Sequence, residues 1–531
     1  MKVFQKIITV AAVAAALCAA VSLNAAAADG DKGRLKLEGR DWVYVDSDGN
    51  RDPSYNGLAE NIEGIWYVSN GKLDSSANGL VKITSGDIEK GEWVYLDDGL
   101  YQKKTLGRTE GTYTGMAKNR YDWWYVKDNK IDYSYTGVAE NQYGNWYITK
   151  GKLDHGYDGL GEIPQKGIWH FINGGVDKVT DGLTKITKGD IENGEWVYLI
   201  DGCFKKYENG KLKGLYTGMA KNAYDWWYVT DGKIDYTYTG AAKNPYGIWF
   251  IEKGQLGHKT YALAEISDSG IWYFSKGAKN TTYTGMVKIY DGNIRRDKWV
   301  YIVKGLYKKL SGKDYVGLYT GMAKNQYGWW YITDSDLDQT FNGLARNPWG
   351  MWNIRNGKLD EKYSGSVKKD GMTYTITSGK VTGADKQVVS YAIKALNTTK
   401  WDLKSAYTWC VYKLDYDKYC VPTDGSLGAE KYAIYGFKNR KGNCYCFSNC
   451  FVQMARLLDY DAHAVRGTVP YRDGTRGNHS WAEITIDGKT YVCDPQYDHQ
   501  LLQRGRTRIS QYMFEYGDKG TLKYNRIAAM N

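Results

Sequence analysis

The sequence predicts two fold classes in one chain, an all-β repeat solenoid of aromatic hairpins over residues 35–380 and an α+β domain over 385–531. Three observations predict it. Tryptophans recur every 103 residues through the first region, as at Trp146, Trp249 and Trp352. The 48 Tyr and 20 Trp far outnumber the 10 Phe, and aromatics with a polar tip suit thin, half-exposed β-structure better than a deep apolar core. After Gly379 the hydrophobic spacing turns helical, in a segment that also brings Cys444, His479 and Asp494 together in order. A chain of 531 residues is in any case too long for a single core.

At the N-terminus, Lys2 and Lys6 precede an apolar run from Ile7 to about Val21, followed by alanines at 25–28. A charged start, an apolar stretch too short to span a bilayer and an Ala-x-Ala site predict a signal peptide over 1–28. Leu17 stands before Cys18, where a lipidated cysteine needs a small residue. The mature protein is therefore expected to be secreted and not transmembrane. No apolar span or wall-sorting sequence closes the chain, so attachment at the cell surface falls to the repeats. The net charge of +11 is a mild excess without a long basic run, densest at Arg504-Gly505-Arg506-Thr507-Arg508. That excludes a nucleic-acid function and fits an anionic cell-wall polymer better.

The 103-residue block contains four smaller units, because Trp66, Trp169 and Trp272 repeat at the same interval, as do Trp93, Trp196 and Trp299, and Trp124, Trp227 and Trp330. Most units read Trp-Tyr-Val, a turn such as Asp231-Gly232-Lys233, a second short strand, and Tyr-Thr-Gly. A single hairpin of this kind is marginal, and stacking on similar neighbours builds a continuous aromatic core. Most tryptophans are expected in that core. Trp123, Trp226 and Trp329 are extra rings beside it and are the candidates for contacting a ligand. These units resemble the cell-wall-binding and choline-binding repeats of Gram-positive surface proteins. Their unequal lengths and the Gly218-Met219-Ala220-Lys221-Asn222 segment depart from the choline-binding pattern, so the resemblance implies a wall polymer or glycan rather than choline.

In the second region Val388, Val389, Ala392, Ile393 and Leu396 predict one amphipathic helix, and Leu403, Ala406, Tyr407, Cys410, Val411 and Leu414 a second. The stretch from Asp415 to Asn443, with Pro422, Gly425 and Gly428, is expected as a loop along a substrate cleft. Gly442-Asn443-Cys444 then delivers a cysteine onto the first turn of a third helix, whose buried face is Phe451, Met454, Ala455, Leu457 and Leu458. The free N–H groups of that turn favour a thiolate. Asp487-Gly488 predicts a two-residue hairpin. Pairing Ile486 with Lys489 places His479 opposite Gln496 and puts Asp494 on the same face, within reach of the imidazole.

Gly442-x-Cys444-x-x-Phe447-Ser448, Leu457-Leu458-Asp459-Tyr460-Asp461-Ala462, Val465-Arg466-Gly467, His479-x-Trp481 and Asp494-Pro495 resemble the bacterial transglutaminase-like superfamily, with its papain-like core. The resemblance covers roughly residues 385–500. It implies Cys444 as nucleophile, His479 as general base and acid, Asp494 as the orienting residue, no cofactor, and a protein or peptide substrate whose glutamine or backbone amide is cleaved or transferred. The backbone N–H of Cys444 is one oxyanion donor; no motif marks a side chain for the other.

Other readings of the same residues stand beside this one. Cys444, Cys446, Cys450 and His463 form a possible zinc cluster, although their spacing fits no standard ligand pair; Cys446 and Cys450 read better as small core residues, and no metal is expected. Cys410 and Cys420 are candidates for a disulfide. His463 reads as structural, and His499 is a rival to His479. For the whole chain the alternative is a surface binding protein or adhesin whose terminal domain is inactive. Protease and transglutaminase share the first thioester and are not separable from the residues.

Overall fold

The computed structural model describes residues 32–471 and 473–530, so the expected signal peptide lies outside the described residues. The chain divides into two compact units, the first running to Tyr224 with Val229–Ile234 added, the second comprising Asp225–Tyr228 and Asp235–Asn531.

The first unit is built of antiparallel hairpins. In one, Gly137–Asn141 pairs with Gly144–Thr149, which turns back into the two-residue strand Lys152–Leu153. Lys152 also pairs with Trp124 of the preceding hairpin, and Gly175 of the following one with Trp146. The Tyr-Thr-Gly segment makes this stacking possible. Tyr135 stacks on Tyr125 with centroids 3.7 Å apart, its hydroxyl donates to the Val138 carbonyl at 2.7 Å, and Thr136 accepts from the Lys150 amide at 3.1 Å. The same hydroxyl bond recurs at Tyr55, Tyr113 and Tyr157, and a phenylalanine has no group to make it. The preference for Tyr over Phe is thus a backbone-satisfaction device. The turn glycine Gly151 has φ +77°, and a Cβ there would sit 2.5 Å from the Asp132 carbonyl oxygen. Fully buried positions go to Val126, Ile148 and Leu153, while Trp124 and Trp146 are half-buried and donate their indole N–H to Asn119 and Asn141. The tryptophans therefore line the core rather than fill it.

In the second unit the hairpins continue to a last strand, Lys380–Ala384, and lead directly into helices. These are α1 (Gln387–Leu396), α2 (Leu403–Lys413), α3 (Ala429–Asn439), α4 (Cys444–Leu457) and α5 (Pro495–Gln503). An antiparallel sheet of β1 (Asp461–Pro470), β2 (Arg476–Ile486), β3 (Lys489–Cys493) and β4 (Asn525–Met530) has the order β3-β2-β1-β4. The chain is thus an all-β repeat region followed by a small domain of helices and one sheet. Leu344, Met351, Tyr374, Ile376 and Val381 of the last hairpins share one apolar core with α1, and Arg346 pairs with Asp459 and donates to the Leu457 carbonyl.

Two expectations are corrected here. The segment 415–443 is not all loop, since α3 occupies its second half; the helix carries Gly436 because a Cβ there would meet the Cys450 sulfur at 2.7 Å. The cysteine helix has no single buried face. Every residue of α4 from Cys444 to Ala455 is buried, because α1, α2, α3, α5 and the sheet surround it.

Candidate active site

Cys444 is placed by close packing before it. Tyr416 pairs with Gly442 in a two-residue parallel bridge, and a Cβ on Gly442 would lie 2.2 Å from Cys446 Cβ, so only glycine lets the chain enter α4 this tightly. Asn443 caps the helix, its Oδ1 accepting from the Tyr445 amide at 3.1 Å. Its Nδ2 donates to the Val421 and Pro422 carbonyls, which holds the loop ahead of α3 against the nucleophile. Cys444 itself is buried, at the positive end of a 14-residue helix.

His479 projects from β2. The hairpin pairs Ile486 with Lys489 and ends with Ala482 opposite Cys493. Asp494 and Gln496 do not continue β3: the chain turns there into α5, with Asp494 as N-cap and Pro495 in the first turn. Asp494 is fully buried and uses both oxygens. Oδ1 accepts from the Tyr497 amide at 2.9 Å; Oδ2 lies 2.6 Å from His479 Nε2 and accepts from the Tyr524 hydroxyl at 2.8 Å. With Nε2 engaged, Nδ1 is the nitrogen left for the thiol. Burial pulls the His479 pKa down, but the Asp494 charge and hydrogen bond, followed by a hydrogen bond with Cys444, push it up to about 10. His479 and Asp494 are therefore hydrogen-bonded, and Cys444 is near enough to His479 to raise its pKa. Such an arrangement can hold a thiolate and imidazolium side by side and pass a proton to a leaving group.

Two neighbours, Tyr524 and Tyr416, carry no sequence signal. Tyr524, from the segment before β4, is reachable only because that strand returns to pair with β1. Tyr416, paired with Gly442, is partly exposed, yet desolvation of its phenol first and then the Cys444 charge push it above the usual tyrosine range. Trp481 is fully buried beside His479 and donates to the Tyr516 hydroxyl at 2.7 Å; Gly467 makes room for it, since a Cβ there would come within 2.4 Å of the indole. Glu483 below is buried among Tyr516, Arg526 and His463. His463 is thus tied to Glu483, and His499 donates its Nδ1–H to the Val411 carbonyl, 2.8 Å away. Cys450 sits on the Ala433 carbonyl, so the cysteines and His463 do not converge, and among the described residues no group of three His, Cys, Asp or Glu side chains is arranged for a metal ion. Cys410 and Cys420 are free thiols.

In the repeats, Trp123 and Trp226 are half-buried and meet exposed Tyr143 and Tyr246 edge-on at 6.1 and 6.0 Å. Trp329 is half-buried against Met322 and Ala345. Elsewhere indole faces are covered from within: Lys152 lies over Trp124, Lys358 over Trp330 and Lys279 over Trp272, the last at 3.5 Å.

The transglutaminase-like superfamily matches residues 386–495. The choline-binding repeat matches at 54–74, 112–132, 134–154, 216–235, 237–256 and 319–335. The chain carries both, the repeats ahead of the transglutaminase-like domain. No curated protein matches it. Among solved structures, a candidate cysteine protease from Cytophaga hutchinsonii is 15% identical over 20% of this chain and 36% of its own, with a TM-score of 0.17. A protein described as a TGase is 15% identical over 23% and 33%, with a TM-score of 0.18. An alternansucrase in complex with isomaltononaose is 14% identical over 80% and 28%, with a TM-score of 0.17. The chain spans about a third of the length of these structures. No helix among the described residues is long and apolar enough to cross a membrane.

Proposed function

We propose that the chain is a secreted, wall-associated cysteine acyl-transfer enzyme acting on peptide or glutamine amides through Cys444, His479 and Asp494, with the repeats holding it to a wall polymer or glycan. The observation that carries this is buried His479, held at 2.6 Å by the fully buried Asp494 carboxylate and raised in pKa by it and by Cys444. The Cys444 thiolate attacks the amide carbonyl, the carbonyl π electrons move to oxygen, and the His479 imidazolium gives its proton to the departing amine. That leaves a thioester on Cys444, which water hydrolyses or a second amine aminolyses. The oxyanion faces the Cys444 amide, and the Tyr416 hydroxyl is the neighbouring side-chain donor. Asp494 keeps Nε2 occupied, so that Nδ1 does the proton work.

Alkylation with iodoacetamide between pH 5 and 9, followed by peptide mass mapping, tests the site. Cys444 is expected to label well below about pH 8, where an ordinary thiol is mostly protonated, and His479→Ala to slow it. Labelling no faster than at Cys446 or Cys450 would remove the enzyme reading and leave a surface binding protein. Co-sedimentation with isolated cell walls tests the anchor, with binding expected to weaken in Trp123→Ala and Trp226→Ala.

A further inference from the structure

Next to the segment that leads into Cys444 lies a cleft of about 370 Å³, lined by Asp415, Tyr416, His499, Gln500, Gln503 and Arg504. Its position follows from the fold. Asp415 and Tyr416 are held to the chain entering Cys444 by the parallel bridge with Lys441–Gly442, and the Asp415 amide donates to the Arg440 carbonyl at 2.9 Å. On the other side, α5 starts at the catalytic Asp494 and presents Gln500, Gln503 and its C-terminal Arg504. His499 packs against Phe447, on the first turn of α4, with ring centroids 5.3 Å apart. Its Nδ1 is committed to the Val411 carbonyl, which leaves Nε2 for the cleft. Tyr416 is shared, lining the cleft while feeling the charge on Cys444.

The lining is chemically unusual in holding one acid, one guanidinium and two amides in a small space. Exposed Asp415 and Arg504 make no ion pair with each other, and among the described residues neither has any other ion-pair partner. Asp417, two residues on, is by contrast paired with Lys441 at 3.1 Å. Two unpaired opposite charges facing one volume complement a ligand that carries both signs. Two carboxamides between them complement a peptide bond.

We propose that this cleft binds a short zwitterionic peptide by both of its free ends, Arg504 taking the carboxylate, Asp415 the ammonium, and Gln500 and Gln503 the amide between. The proposal rests on the acyl-transfer reading and narrows it, making the substrate a short peptide with free termini rather than an internal glutamine of a folded protein.

The test uses the full chain and needs no known substrate. Protection of Cys444 against iodoacetamide is measured with alanyl-alanine and with its N-acetylated, C-amidated counterpart. The free dipeptide is expected to protect and the blocked one not, with protection weakened about fivefold, the scale of an exposed charge pair, in Arg504→Gln and in Asp415→Asn. The iodoacetate-to-iodoacetamide rate ratio at Cys444 is expected to fall by a similar factor in Arg504→Gln, because only iodoacetate carries the anion. Equal protection by both dipeptides, or an unchanged ratio and unchanged protection in the variants, overturns the proposal. A Cys444 that labels with neither reagent sinks the acyl-transfer reading instead. Calorimetric titration of the same two dipeptides into wild type and Arg504→Gln then decides the cleft alone, with no binding of the free form overturning it.

Discussion

Replacing Asp494 with asparagine isolates the electrostatic part of the site. Asparagine keeps the size of the side chain and its Oδ1, so the cap on the Tyr497 amide survives and α5 keeps its start. What disappears is the charge beside His479 Nε2. In the wild type His479 stands at about 10 against an ordinary 6.5, a difference worth about 5 kcal/mol at 1.36 kcal/mol per pKa unit. Because the folded pKa is raised, this stabilisation is fully present below about pH 6.5 and is lost as the pH climbs from there to about 10. In Asp494→Asn, burial, already the largest single influence on this imidazole, is left opposed only by Cys444, so the imidazole is expected to titrate below 6.5. Histidine-labelled protein followed by NMR reads this directly, His479 being assigned by its loss in His479→Gln. The wild type is expected to stay protonated through pH 8 and the variant to be neutral at pH 7, where Cys444 alkylation should also fall. A wild-type His479 already neutral at pH 7, or a variant that titrates with the wild type, would refute the reasoning.

Three further outcomes follow from packing and hydrogen bonding. Tyr524→Phe removes one of the two donors to Asp494 Oδ2 and is expected to cost about 1.5–3 kcal/mol in urea unfolding, the range for a hydrogen bond to a charged group, while His479 keeps its high pKa. Gly442→Ala forces a Cβ into Cys446 and should destabilise the protein by about 1–3 kcal/mol while slowing Cys444 labelling, because the start of α4 must move; an unchanged labelling rate would separate the two roles of that glycine. Tyr135→Phe keeps the stack on Tyr125 but leaves the Val138 carbonyl without its hydroxyl donor, and the repeat unit should lose about 1 kcal/mol by the same unfolding measurement.

Much of this architecture is written in local pattern. The 103-residue period and the Trp-Tyr-Val hairpins make the repeat region legible in the sequence, because each unit reuses one set of contacts. The register of β2 with β3 follows from Asp487-Gly488 alone, and it carries His479 to within a hydrogen bond of Asp494 even though the strand stops one residue short of it. Asp494-Pro495 contains the signal for that stop, a capping residue followed by proline at the first helical position. By contrast α3 is hard to see, since its sequence is poor in aliphatics and has a glycine at the contact with α4. The partners of Asp494 and Glu483 from the last segment, Tyr524 and Arg526, are invisible in sequence, because they depend on a strand that crosses back from the far end of the chain.

The residues behind the family resemblance do not all do the same work, and this bears on whether the domain is an enzyme or a relic. Gly442, Gly467 and Trp481 are packing residues: a Cβ on either glycine would strike Cys446 or the Trp481 indole, so any chain with this fold needs them whether or not it reacts. His479 and Asp494 are different. They place a charged pair where burial is nearly complete, a position in which well-packed apolar side chains of similar size are often as stabilising or more so. The helix cap explains only one oxygen of Asp494, since Asn or Ser would cap α5 as well. The other oxygen serves His479 and Tyr524, and the charge on it matters chiefly if the imidazole is to be held protonated beside Cys444. A fold kept only as a spacer on the repeats has no use for that desolvated charge, whereas a thiol that must attack as its thiolate does.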